Sequence, residues 1–306
     1  MHVLSKILRL IKNFFFKINI RRKFSVVDKG NEKKNNFPLS GVYNYDYILK
    51  PKVSLIIHHF ISEETLKKTL LNLKNYNLQM EVIIINDKFF PLNDIYKIID
   101  NSNFIIINTK DYGEARSYIK GAKISRSTDF LIFCQDDDLL PGNEKWLDDC
   151  LGEFNNDDKL GLVGLNGGGV YKENFETINF SRIYQNKKSI KKYCSWLKFG
   201  PFVIRKSVYN KIGGIKLFGL VGETSNAVDR YLTLEVIKEG YKSMLLLNEN
   251  TKQIKRRFAR DDGLSVSDLK KHKMRNLSFE DSEKKFLELA KDDISATQRK
   301  PEYQYE

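Results

Sequence analysis

The sequence predicts an α/β fold built on a parallel, right-handedly connected sheet, and three observations carry that expectation. Short apolar runs alternate with helix-length segments between Val53 and Cys134, the pattern of repeated β-α units. The run Phe130-Leu131-Ile132-Phe133-Cys134 ends abruptly in Gln135-Asp136-Asp137-Asp138, so three carboxylates stand beyond a buried strand, where such sheets bind their ligands. The chain has 306 residues, 41% hydrophobic and 12% aromatic, enough for one large α/β domain with embellishments or two small ones.

In chain order, residues 1–27 come first as a basic amphipathic helix. Val3, Leu4, Ile7, Leu8, Leu10, Ile11, Phe14, Phe15 and Ile18 share one helical face, and Lys6, Arg9, Lys12, Asn13 and Lys17 the other. Charges interrupt every apolar run well short of the roughly 20 residues a membrane span needs, and no small-residue cleavage site follows. With Arg21-Arg22-Lys23 behind it, this helix suits an anionic membrane surface or a docking site on protein. Residues 28–50 are polar and turn-rich and read as a linker. The α/β body spans 51–250. Its expected strands are Val53 to His58, Glu81 to Asn86, Phe104 to Ile107, Asp129 to Cys134, Leu160 to Leu165 and Tyr241 to Leu247. Helices are expected near 62–74, 92–101, 113–125, 143–154 and 227–239, the last closed by Gly240 as a C-cap. Gly167-Gly168-Gly169 lacks both the P-loop ending and the dinucleotide spacing and reads as an ordinary loop. A charged, helical extension, residues 251–306, closes the chain and reads as a solvated face.

Lysine and arginine total 52 against 39 acids, a net charge of +13, which points to an anionic partner: nucleic acid, membrane or phosphate-bearing substrate. Cys134, Cys150 and Cys194 have no metal-site spacing, so a reducing, cytoplasmic setting is expected, with Cys134 a small core hydrophobe. Three adjacent carboxylates repel unless neutralised. A hard divalent cation would do so and bridge to phosphate, whereas the bland alternative is an acidic turn capping the helix that starts near Gly142.

The span from Lys52 to Leu247 resembles the family 2 glycosyltransferases of the GT-A fold. The residues that carry the resemblance are Val53 to Ile57, Ile83-Ile84-Ile85-Asn86-Asp87, Tyr112-Gly113-Glu114-Ala115-Arg116, Phe133-Cys134-Gln135-Asp136-Asp137-Asp138-Leu139-Leu140-Pro141, Gly213-Gly214, Asp229-Arg230-Tyr231-Leu232 and Gly240-Tyr241. The resemblance implies a GT-A (Rossmann-like) mixed, mainly parallel sheet flanked by helices, and a metal-dependent, inverting transferase of hexosyl type. It implies donor-binding roles for Asp87, which accepts from the nucleotide base, usually uracil, and for Arg116, near the nucleotide or its phosphates. Asp138 and Asp136 would hold Mn²⁺ or Mg²⁺, with Asp136 contacting metal or ribose, while Asp137 shapes the turn. Asp229 would be the base that takes the acceptor's proton, with Glu223 in reserve. His272 is a further candidate metal ligand, and Arg256, Arg257 or Arg260 a diphosphate clamp.

The expected partners are a nucleotide-sugar donor, with UDP-sugar first, and a glycan or lipid-linked acceptor of bacterial surface polysaccharide or lipopolysaccharide synthesis. The expected location is cytoplasmic, peripheral at the inner face of the bacterial membrane. Departures from the family pattern are His58-His59-Phe60 at the first strand end, Lys88-Phe89-Phe90 after Asp87 and Val228 before Asp229. The two histidines are expected on opposite faces of their strand. A sugar-phosphate nucleotidyltransferase is the enzymatic alternative, and it wants a glycine-rich basic loop where His58-His59-Phe60-Ile61 stands. A nucleic-acid-binding protein would also explain +13, but basic and aromatic residues are not interleaved in such a motif, so no nucleic-acid partner is expected.

Overall fold

A computed structural model of the chain describes residues 41–43, 51–60, 63–77, 80–87, 92–98, 104–109, 112–217, 225–255 and 279–304. The strands are β1 (Gly41–Tyr43), β2 (Val53–His59), β3 (Met80–Asn86), β4 (Phe104–Asn108), β5 (Phe130–Gln135), β6 (Leu160–Gly164), β7 (Gly168–Tyr171), β8 (Thr177–Asn179), β9 (Ile190–Tyr193), β10 (Trp196–Leu197), β11 (Phe202–Arg205) and β12 (Lys242–Leu247). Helices are α1 (Glu63–Leu73), α2 (Asn93–Ile98), α3 (Glu114–Ile124), α4 (Lys145–Asn156), α5 (Phe180–Ile183), α6 (Lys206–Lys211), α7 (Ser225–Lys238) and α8 (Phe279–Gln298).

Nine strands form one sheet in the order β1-β4-β3-β2-β5-β11-β6-β12-β9. Parallel pairing joins β4, β3, β2 and β5, and again β6 with β12, so six strands point one way. β3 is buried along its whole length and β2 along all but His58, which is why they read as continuous apolar runs rather than alternating ones. Helices cover both faces. Leu66, Leu70, Trp146 and Phe154 of α1 and α4 pack with Val53, Leu55 and Ile57, while Tyr118, Leu232 and Val236 of α3 and α7 pack with Ile56, Ile83 and Phe133. Each fully buried Ile or Leu here contributes about 1.5–3 kcal/mol. α3 sits close to the sheet because Gly121 has no Cβ, which would lie 2.3 Å from Ile56 Cγ2.

The mixed, mainly parallel sheet flanked by helices is the expected fold class, and Gly240 closes α7 with φ +84°. Four features differ from expectation. β11, over a stretch to which the sequence assigned no strand, runs antiparallel to both neighbours, β5 and β6, and its wholly buried run Phe202-Val203-Ile204 carries no mark of direction. Gly168 and Gly169 open β7 rather than a loop, in a second, three-stranded sheet β10-β7-β8. Gly41–Tyr43, inside the expected linker, pairs with β4 as an edge strand. Within the C-terminal extension Phe279–Gln298 forms α8, and its Phe286, Ala290 and Ile294 are buried against Trp196 and Leu234 instead of leaving every face to solvent. The amphipathic helix expected over 1–27 lies outside the described residues. Among those that are described, no helix is long and apolar enough to cross a membrane.

Candidate active site

Parallel strands bring the ends of β2, β3 and β5 to one edge, and the antiparallel β11 brings its beginning there. Four stretches meet at that edge: His58-His59, Asp87, Gln135 to Asp138, and Phe199-Gly200.

Asp87 lies just past β3. Its carboxylate accepts from the Thr109 hydroxyl (2.8 Å), the Tyr112 N–H (2.8 Å) and the Gly113 N–H (2.7 Å), and His58 Nε2 stands 3.6 Å away. Burial alone would raise its pKa, but His58 and the three donors outweigh it and hold the carboxyl below the ordinary range. The side chain is fully enclosed. Asp87 therefore pins the Tyr112-Gly113 turn from which α3 starts.

Asp136 follows β5, with its backbone N–H donating to His58 O at 3.0 Å. Its Oδ2 accepts from His59 Nδ1 (2.9 Å) and the Phe60 N–H (2.8 Å). Burial again pushes up, and His59, His58 and Phe60 pull the carboxyl well below its usual range, so His59 Nδ1 is the donor. The histidines do face opposite ways. His58 meets Tyr118 edge-on at 6.4 Å on the α3 side, while His59, fully buried, turns to Asp136. The same environment raises the pKa of His58: burial opposes its charge, but Asp87, Glu114 and Asp136 favour it more.

Asp138 is 3% exposed. Its Oδ2 accepts from the Gln135 N–H at 3.3 Å, and its carbonyl accepts from the Thr69 hydroxyl at 3.3 Å. A Cβ on Gly200 would lie 2.6 Å from that same Oδ2, so residue 200 abuts the carboxylate. Asp137, between the two, is also buried.

Asp229 projects from α7, 1% exposed. Oδ2 accepts from the Phe199 N–H (3.0 Å) and Oδ1 from the Arg230 N–H (2.7 Å). Burial dominates and pushes its carboxyl well above the ordinary range, against the Phe199 and Arg230 N–H groups and the Arg230 charge. Two consecutive residues, Phe199 and Gly200, thus touch Asp229 on one side and Asp138 on the other.

Three participants carried no role in the sequence reading. Glu114 accepts from Gln135 Nε2 (2.6 Å) and the Tyr118 hydroxyl (3.0 Å), joining α3 to β5. Its place between Gly113 and Ala115 was the available signal. Phe199-Gly200 had only the Gly-Pro step after it, at Gly200-Pro201. Lys255 pairs with Leu139 through N–H to O bonds of 3.1 and 2.8 Å, tying the start of the basic run to the residue after Asp138. Arg116 is exposed in the first turn of α3. Glu223, His272, Arg256, Arg257 and Arg260 lie outside the described residues.

Among the described residues no three His, Cys, Asp or Glu side chains form a ready cation cage. Asp136 and Asp138 do supply two carboxylates from one turn. That fits the mode in which a hard cation takes one or two carboxylates and fills its remaining positions with phosphate oxygens and water.

Among solved structures, the chain is similar to the mannosyltransferase PcManGT from Pyrobaculum calidifontis, determined in complex with GDP-Man and Mn2+. That match has 12% identity and a TM-score of 0.45, and it covers 70% of this chain and 60% of that one. It is also similar to S. aureus TarS, with 15% identity and a TM-score of 0.44 over 65% of this chain and 35% of that one. For TarS 1-349 the identity is 15% and the TM-score 0.47, over 79% and 80%. No curated protein matches. The Glycosyl transferase family 2 model matches residues 54–213. That stretch is more than half of the chain and holds the sheet edge with Asp87 and Asp136 to Asp138, and the chain belongs to glycosyl transferase family 2.

Proposed function

We propose that this glycosyltransferase moves a sugar from a nucleoside diphosphate donor, UDP-sugar first, to a glycan or lipid-linked glycan acceptor, with inversion at the anomeric carbon and with Mn²⁺ or Mg²⁺ at Asp138 and Asp136. The observation that carries the reading is the Phe199-Gly200 bridge between Asp138, the proposed metal ligand, and Asp229, the proposed base.

Asp229 takes the proton of the acceptor hydroxyl as its oxygen attacks the anomeric carbon. That hydroxyl is far too weak an acid to ionise unaided, and a carboxylate raised by burial is a better base than a solvated one. The attacking oxygen enters opposite the departing diphosphate, which inverts the centre. The Phe199 N–H holds Asp229 in place, and Glu114, through Gln135, braces the strand end that carries Asp138. A bound cation would supply Lewis-acid stabilisation of charge on the leaving diphosphate. Asp87, whose carboxylate fixes the Tyr112-Gly113 turn, accepts from the nucleotide base, and Arg116 offers an exposed cation to the nucleotide. The basic surplus suits a phosphate-bearing donor and a place at an anionic membrane of the cytoplasmic side, where a lipid-linked acceptor for surface-glycan assembly would stand.

A panel of nucleotide sugars tested by thermal shift, with and without Mn²⁺ or Mg²⁺, checks the reading. At least one donor is expected to raise the melting temperature only when the cation is present. Stabilisation by none of them, or equally without cation, would sink it.

A further inference from the structure

Arg230 directly follows the proposed base in α7, and both α7 and α8 lie beyond residues 54–213, the span that matches the family. Its guanidinium carbon is 5.6 Å from the centre of the Trp196 ring and 6.0 Å from that of Phe286. All three side chains are buried. Trp196 belongs to β10, three residues before Phe199, and its indole N–H donates to Val170 O at 3.3 Å. Phe286 belongs to α8, whose Ala290 and Ile294 continue the same buried stripe. Lys238 of α7 pairs with Asp293 of α8 at 3.2 Å, and just past α8 Lys300 Nζ donates to Ile237 O at 3.1 Å.

A guanidinium between two aromatic rings is attracted by both ring quadrupoles, and its planar shape is not reproduced by lysine. Here the two rings come from the strand leading into Phe199-Gly200 and from the C-terminal helix. The clamp therefore controls how the turn of α7 bearing Asp229 is set against the segment that hydrogen-bonds Asp229. We propose, resting on the reading of Asp229 as base, that Arg230 is a positioning residue for Asp229 and that α8, through Phe286, is a working part of the active site.

The test compares full-length Arg230→Met, Arg230→Lys and Phe286→Leu with Leu289→Ala, an exposed position (52%) on the same helix, and with Asp229→Asn. For each, kcat, donor KM and the donor-induced thermal shift are measured with the donor found in the panel. Misplacing the base is expected to lower kcat about 10- to 100-fold in Arg230→Met, Arg230→Lys and Phe286→Leu, with donor KM and donor shift unchanged. Leu289→Ala is expected to turn over like the wild type. A wild-type kcat in Arg230→Met or Phe286→Leu overturns the proposal, and so does a loss of kcat accompanied by a raised donor KM and a lost donor shift, which is general collapse of the site. Phe286→Leu decides the matter if Arg230→Met does not fold. Retained turnover in Asp229→Asn removes the base assignment and this inference with it, whereas loss in Asp229→Asn beside a normal Arg230→Met removes this inference alone.

Discussion

Replacing Gly200 by alanine tests how tightly the site is built around Asp138. Two effects are superposed. Gly200 has φ +88°, and a residue with a side chain held there costs about 1–3 kcal/mol. The new Cβ would also lie 2.6 Å from Asp138 Oδ2 and 3.4 Å from its Cγ, so the carboxylate oxygen must move by about 0.8 Å to reach an ordinary contact of 3.4 Å. Metal–ligand distances tolerate about 0.2 Å, and disturbing the groups that orient ligands costs about 10- to 100-fold in affinity. Gly213→Ala carries the first effect alone, because Gly213 has φ +76° with nothing within 4 Å of its added Cβ. Both variants are expected to lose similar stability in urea, while only Gly200→Ala loses about 10- to 100-fold in calorimetric titration with donor and Mn²⁺. Equal donor affinity in the two variants would refute the argument that Gly200 sets the place of Asp138.

Two pH effects follow from the same carboxylates. Asp229 is held protonated by burial to a pH above the ordinary carboxylate value of about 3.9, so kcat is expected to rise with pH along an acidic limb lying above that value, and a limb at or below it in a pH–rate profile would contradict the role. Asp136 has a depressed pKa in the folded state, so its contribution to stability is complete above the unfolded value of about 3.9 and fades as pH falls toward the folded one. His59→Leu removes its ring donor and is expected to cost about 1–3 kcal/mol at pH 7 and less at pH 3, by denaturant unfolding; an equal loss at both pH values would show that packing alone is at stake.

Much of this was legible in the chain because buried parallel strands leave a plain trace. Ile83-Ile84-Ile85 and Phe130 to Cys134 could be little else, and carboxylates at their ends had to fall on one edge. Direction was not legible for β11, since Phe202-Val203-Ile204 is apolar on both faces. Its reversal is what delivers Phe199 and Gly200 to the site, so they too escaped notice. Asp229 could be found by counting back from Gly240-Tyr241, but its hydrogen bonds could not, because they come from a backbone N–H with no side-chain signature. In α8 the abundance of charge hid a stripe, Phe286, Ala290 and Ile294, spaced at every fourth residue.

The reversed strand also bears on how this chain can change over time. β11 is paired on both sides, with Phe202 opposite Phe133 and Gly164. One residue inserted or deleted between Leu197 and Phe202 would move the Phe199 amide away from Asp229 and Gly200 away from Asp138 together. Length is therefore fixed there, and residue 200 must stay glycine, whereas the Phe199 contact with Asp229 runs through the backbone amide and not the side chain. The exposed stretch between Tyr184 and Ile190 touches neither carboxylate, and it is where related chains can gain or lose residues at little cost to the reaction.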